Sequence, residues 1–412
     1  MRRLAKILAV GTSTAILTSA AATSQTLDSV IVSDQVQTSD IFAGQTLNVV
    51  SVSDTTTSVA TATGAAFDGS GEGVTLDVRA NQNLQANVTA DTRLDAAVNA
   101  GAVAALSTTA TGVTSESNIY NGTLTGVYTQ RTGPNRIYSH SHVEAPQAEA
   151  GDITASTQAI GMNQGFGVSH SVVGARVNQT NTADVVADGG GTVGHVDGAA
   201  TFAGAATGAN VTSSSIDGAA QRYIIGQTNA PAMVQASQFT AHGSAYLATT
   251  SATATGGSIN LHNEGGLLDV TSRQTNEAYL RAQSVGSAFQ FGSAASIAFG
   301  VGNSFLAGNL GSETIIDAVQ LNDSGGVEVI ADFTGAEGYD ASAHATAMGN
   351  AATGFVCNDC DGRLVATSQQ VNSTDISAHS SVTVTGHARS ATGVSNAVGN
   401  TATYFVSRPG AH

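Results

Sequence analysis

The sequence offers few side chains whose type and spacing could do chemistry. It holds ten histidines, and none stands in a His-Glu-x-x-His array or another helical ligand spacing. His140-Ser141-His142 is a close pair. On an extended strand its two rings share one face, a geometry that can hold a metal ion. No third ligand lies nearby, so the plainer reading is a polar loop beside Pro134 and Pro146. Asp91 and Asp95 are the kind of residues that glycosidases use in pairs, but they fall on the wet face of an alternating stretch and read as surface charge. Gly189-Gly190-Gly191 is followed by no Lys-Ser/Thr, so it reads as a turn and not as a phosphate loop. No Gly-x-Ser-x-Gly nucleophile elbow occurs. The two cysteines are Cys357 and Cys360. With no second Cys-x-x-Cys to complete a zinc site, a disulfide pinning a turn is expected in an exported chain. The expectation is therefore no catalytic, cofactor-binding or metal-binding residues, no cofactor, and no enzyme.

The elements that would carry these residues are strands. Val88-Thr89-Ala90-Asp91-Thr92-Arg93-Leu94-Asp95-Ala96 alternates small or apolar with polar residues, as does Val382 to Arg389. A period of two puts one face in a core and the other in water. Val and Thr favour strands, and Asn, Asp and Gly supply breaks. Such breaks fall at Asp68–Gly71, Asp188–Gly191, Asn263–Gly266 and Asp323–Gly326.

The chain also repeats. Gln82, Gln179, Gln274 and Gln370 recur at about 96 residues, accompanied by Asn83, Asn181, Asn276 and Asn372. Ala60-Thr61-Ala62-Thr63-Gly64 returns as Ala252-Thr253-Ala254-Thr255-Gly256 and as Ala345-Thr346-Ala347-Met348-Gly349. Markers that keep one order at one spacing indicate stacked structural units. Recurring Gln and Asn would then form side-chain ladders between layers. The expected fold is an all-β, elongated, repetitive β-solenoid over residues 60–412, with a period of about 96 residues. Residues 23–59 are read as an N-terminal cap or linker.

Composition narrows the function. Only 11% of residues are charged, the formal net charge is −16, and the only lysine is Lys6. A chain so poor in clustered cations suits neither nucleic acid nor anionic lipid. Trp is absent and aromatics make up 5%, so the interior must be thin and packed from Ala, Val, Ser, Thr and Gly. Met1-Arg2-Arg3-Leu4-Ala5-Lys6, the apolar segment Ile7–Ala15 and the small residues Ala20-Ala21-Ala22 read as a signal peptide over residues 1–22. No later stretch has the ~18 apolar residues of a membrane-spanning helix, so the exported chain is not expected to be an integral membrane protein.

The N-terminal signal, the Ala/Val/Thr/Asn/Gly composition and the drifting Gln-x-Asn repeats resemble the D-type holdfast anchor proteins of stalked alphaproteobacteria. The repeated Gln-x-Asn is also similar to curlin-type repeats, which are far shorter and more regular. The first resemblance implies a non-enzymatic protein at the cell surface, associated with the outer membrane, that tethers an adhesive polysaccharide holdfast. Its partners would be that polysaccharide, other surface anchor proteins and further copies of itself. The alternatives are a polysaccharide lyase or hydrolase built on a β-helix, and an amyloid-like fibre subunit.

Overall fold

A computed structural model describes residues 28–217, 220–230, 232–357 and 362–407. The expected signal peptide lies outside them. Among the described residues all regular structure is extended strand, and every strand pair is parallel, as in the ten-residue match Asp28–Gln37 against Thr75–Leu84. Eight coils stack in register.

The first coil holds β1 (Asp28–Gln37), β2 (Ile41–Ser51) and β3 (Thr55–Glu72). The second holds β4 (Thr75–Leu84), β5 (Val88–Asn99) and β6 (Val103–Tyr120), and the third β7 (Thr123–Thr132), β8 (Arg136–Ala150) and β9 (Asp152–Ser169). The next four coils each join a short strand to one long bent strand. They are β10 (Val172–Asn181) with β11 (Asp184–Ile216), β12 (Ala220–Asn229) with β13 (Met233–Asn263), β14 (Leu267–Asn276) with β15 (Tyr279–Asn309), and β16 (Glu313–Asn322) with β17 (Val327–Val356). The last coil is β18 (Arg363–Asn372), β19 (Ile376–Val384) and β20 (Ser390–Val406). The short strands form one sheet in the order β1-β4-β7-β10-β12-β14-β16-β18, and the remaining twelve strands form the other.

The second coil shows how sequence builds the cross-section. Inward residues run Leu76, Val78 and Ala80, then Gln82, then Leu84, Ala86, Val88 and Ala90, then Thr92, then Leu94 and Ala96. The return path runs Ala104 and Leu106, then Thr108, then Ala110 and Val113, then Ser115 and Ser117, then Ile119. The apolar stretches meet across the coil as three separate cores. Polar seams lie between them. Thr92 meets Thr108 at 2.5 Å, and the same seam is Ser141 with Thr157 in the third coil; in the sixth, Ser284 bonds instead to Ser296, two residues earlier on the return strand. A slip of one residue would turn a whole strand inside out, so alternation and seams together hold the register.

Each coil takes 46 to 50 residues. The sequence spacing of about 96 residues is therefore two coils and not one structural unit. The Gln-x-Asn pair in fact returns in each of the last five coils, at Gln179, Gln227, Gln274, Gln320 and Gln370. Residues 28–59, expected as a cap or linker, are strands of the terminal coil.

Two turn expectations hold: Asn263–Gly266 separates β13 from β14, and Asp323–Gly326 separates β16 from β17. Two do not. Asp68–Gly71 lies inside β3, and the chain turns after it at Gly73, whose φ is +64°. Asp188–Gly191 lies inside β11. Its glycines make room for neighbours: a Cβ on Gly189 would stand 2.7 Å from Gln238 Nε2 and 2.8 Å from Ser141 Oγ. These glycines answer to close packing within a strand, which composition alone does not distinguish from a turn.

One further glycine per coil has a common cause. The return strand skips a pairing position at Gly112, Gly161, Gly208, Gly256, Gly302 and Gly349. The in/out alternation changes phase there, so the strand bends within the first core, with Ala110 and Val113 or Ala206 and Ala209 on its two sides. A Cβ on Gly256 would lie 2.3 Å from the Gly302 carbonyl oxygen and 2.5 Å from Asn276 Oδ1. Glycine is required because stacked backbones and an Asn side chain close on that point.

Candidate functional site

Gln82, Gln179, Gln274 and Gln370 face inward on the short strands, and the structure stacks them in one column with Gln35, Gln130, Gln227 and Gln320. Each amide donates to the oxygen of the preceding rung at 2.7 to 3.1 Å. Its second N–H crosses the seam to a backbone carbonyl on the return strand. Gln179 reaches Asn210 O at 2.9 Å, and Gln227 reaches Ser258 O at 2.9 Å. Both donors of a buried amide are thereby satisfied in the interior.

Asn181, Asn276 and Asn372 lie two residues further on, in a second column with Asn229 and Asn322. Asn276 Nδ2 donates to Asn322 Oδ1 at 2.8 Å, and Asn322 Nδ2 to Asn372 Oδ1 at 2.7 Å. Asn83 is not in this column. Leu84 occupies that place in its coil, and Asn83 sits one residue earlier, beside Arg131 and on the outward side. In Gln82-Asn83 the amides are adjacent, and a strand sends adjacent residues to opposite faces. The rungs overlooked in the sequence were partly legible: Gln227-Thr228-Asn229 and Gln320-Leu321-Asn322 carry the same Gln-x-Asn. Gln35 and Gln130 have no Asn at that place, so only the coil spacing picks them out.

His140 and His142 lie in β8, not in a loop. Their rings stack at 6.2 Å with 7° between planes, and Tyr138 stacks on His140 from the other side. His140 Nδ1 is 2.7 Å from Asp91, and His142 Nε2 is 3.0 Å from Glu144. Pro146 falls where the register with β11 shifts, a place that tolerates a missing N–H. Asp95 pairs with Arg93 at 2.8 Å. Among the described residues, no three His, Cys, Asp or Glu side chains are grouped to hold a metal ion. Cys357 is buried just after β17, and Cys360 lies outside the described residues.

A surface groove of about 560 Å³ crosses the corner where the long strands fold back. Five outward residues stack along one side: His195, Ser244, Gln290, Glu337 and His387, from five successive coils. Phe291, 5% exposed, forms the floor. Tyr246 and Tyr339 stand over it, 73% and 64% exposed. His195 Nε2 meets Asp197 at 2.8 Å, and the Arg389 guanidinium lies 5.9 Å from the centre of the Tyr339 ring.

The family model for holdfast attachment protein D matches residues 50–326. The chain belongs to that family. For a holdfast attachment protein D chain, the matched segment starts at the end of β2 and stops at the turn before β17, so it spans most of the stack. Membership makes this a holdfast and cell-adhesion protein and implies a place at the cell surface. No curated protein and no solved structure matches the chain. Within the family's matched segment lie the glutamine rungs from Gln82 to Gln320 and the groove residues Ser244, Tyr246 and Phe291.

Proposed function

We propose that this chain is a non-catalytic surface anchor that is exported, stays associated with the outer membrane, and ties an adhesive polysaccharide to the cell. The observation that carries this reading is the holdfast attachment protein D match across residues 50–326. The architecture supports it. A coil stack whose polar interior is bonded rung to rung makes a stiff scaffold, and its repeating outer faces suit many weak contacts that add through avidity. The glutamine column is bonded from rung to rung along the stack. The other surface anchor proteins of the cell are proposed partners.

Deleting the gene tests the reading. Cells without the protein should make adhesive but release it into the medium, with surface attachment falling accordingly. Full retention of adhesive by the deletion strain would falsify the anchoring role.

A second reading concerns self-association. β1 and β18 are the outer strands of the short-strand sheet, and the Gln column ends on Gln35 and Gln370. Copies stacked end to end would continue both the sheets and the ladder, which makes oligomers or fibres of this chain a proposed form of the anchor.

A further inference from the structure

The geometry points to the corner groove as the docking surface for an extended, non-anionic pyranose polymer. This rests on the anchoring reading and goes beyond it by naming where the polysaccharide binds and which sugar chemistry it has.

The first support is aromatic. Tyr246 and Tyr339 both line the groove, come from coils two apart, and are 73% and 64% exposed. Large rings left this bare in a cluster mark a contact surface. They are few in this chain, which has 8 Tyr, 12 Phe and no Trp. In the Tyr column the middle coil contributes Gly292, where a Cβ would lie 3.2 Å from Tyr246 Cδ2. With no side chain at Gly292, the Tyr246 ring leans over that position, and Tyr339 follows on the next coil. Two coil spacings are about 9.6 Å, close to the length in which an extended β-linked pyranose chain repeats two sugars. Flat rings at that interval can stack on the C–H faces of alternate sugars, and strands hold them still at low entropic cost.

The second support is the rim. Gln290, Glu337 and His387 line it from three successive coils and offer donors and acceptors, as a ligand covered in hydroxyls needs, while the two ring nitrogens of His195 are held by Ser244 and Asp197. The third is charge. Asp197, Glu337 and Asp340 stand against a single cation, Arg389, which is committed to Asp340 at 3.0 Å. The chain as a whole carries −16. A polyuronate would meet repulsion here, whereas a neutral or amine-bearing sugar would not.

The test uses the full-length protein and, as probe, the adhesive collected from the medium of gene-deleted cells and immobilised on a sensor surface. Tyr246→Ala and Tyr339→Ala should each weaken binding about three- to tenfold, and the double variant more. Tyr246→Phe should bind as the parent does, because the ring face is kept. Both tyrosines are exposed, so the thermal midpoint should stay put in every variant. Polygalacturonate should not compete. The proposal is overturned if the double variant binds like the parent, if Tyr246→Phe loses as much as Tyr246→Ala, or if polygalacturonate competes. Its failure can be told apart from failure of the anchor reading. Double-variant cells that keep their adhesive, where deleted cells shed it, sink the groove and leave the anchor standing. Deleted cells that shed nothing sink the anchor and the groove with it.

Discussion

His242 shows what one side chain can do to this interior. It is 6% exposed, tilted against Phe202 at 5.9 Å, and its two ring nitrogens find no hydrogen-bond partner among the described residues. Burial pushes its pKa down from 6.5 to about 4. The folded protein therefore holds His242 neutral across a range in which the unfolded chain would protonate it. Fewer protons bound in the folded state means that stability falls as pH drops from about 6.5 towards about 4. Relative to His242→Phe, the parent should lose up to about 3 kcal/mol over that window. Urea denaturation of both proteins at several pH values checks this, and parallel pH profiles would contradict it. Nothing around His242 in the sequence marks it as buried: His140 and His142 stand on equally alternating strands and end up half exposed beside carboxylates. Alternation shows that a residue takes one of two faces, but which face is inward depends on the strand stacked against it.

At the scale of the element, the glycine bend and the amide seam act together. The bend brings the return strand back within reach of the short strand, so that Gln227 can bond both Gln179 and Ser258 O. Gly256→Ala should cost more than about 2 kcal/mol, because its Cβ would meet backbone and a held Asn with nowhere to move. Gly174→Ala is the control. Gly174 lies within β10 with nothing within 4 Å of an added Cβ, so its effect should stay within about 0.5 kcal/mol. Denaturation midpoints at an unchanged m-value measure both, and equal midpoints for the two variants would refute the steric account. The Ala-Thr-Ala-Thr-Gly marker was visible in the sequence and its glycine is this bend. That the same glycine recurs every coil, at Gly112, Gly161, Gly208 and Gly302 as well, was hidden because the residues before it drift.

For the whole molecule the decisive fact is that the stack has two ends. Eight coils at the usual strand spacing rise about 34 Å. Inward residues that are buried in the middle coils are only partly covered at the ends, as Ile31 and Ile41 show in the first coil and Ile376 and Val382 in the last. Strand edges left open in this way invite pairing with another chain. Gln370 ends the column with its oxygen free of a further rung, and Gln35 starts it. A second copy set on the last coil would place a Gln35 donor over that acceptor. Sedimentation of the purified protein at rising concentration should show species larger than the monomer that grow with concentration. One monomeric boundary at every concentration would count against end-to-end stacking.

The sequence by itself determined strand over helix, the stacking of similar units, and amide ladders, because these depend on a period of two and on residue types that repeat along the chain. It also carried enough texture to point at the family. Tertiary structure alone decided that the unit is one coil of 46 to 50 residues and not about 96, that Asn83 stands outside the ladder, that Gly189–Gly191 packs within a strand, and that Tyr246 and Tyr339 share one groove. The reason is physical. Local pattern constrains how a strand presents its two faces, whereas register and neighbours across coils come from contacts between residues nearly fifty positions apart, and these no local period encodes.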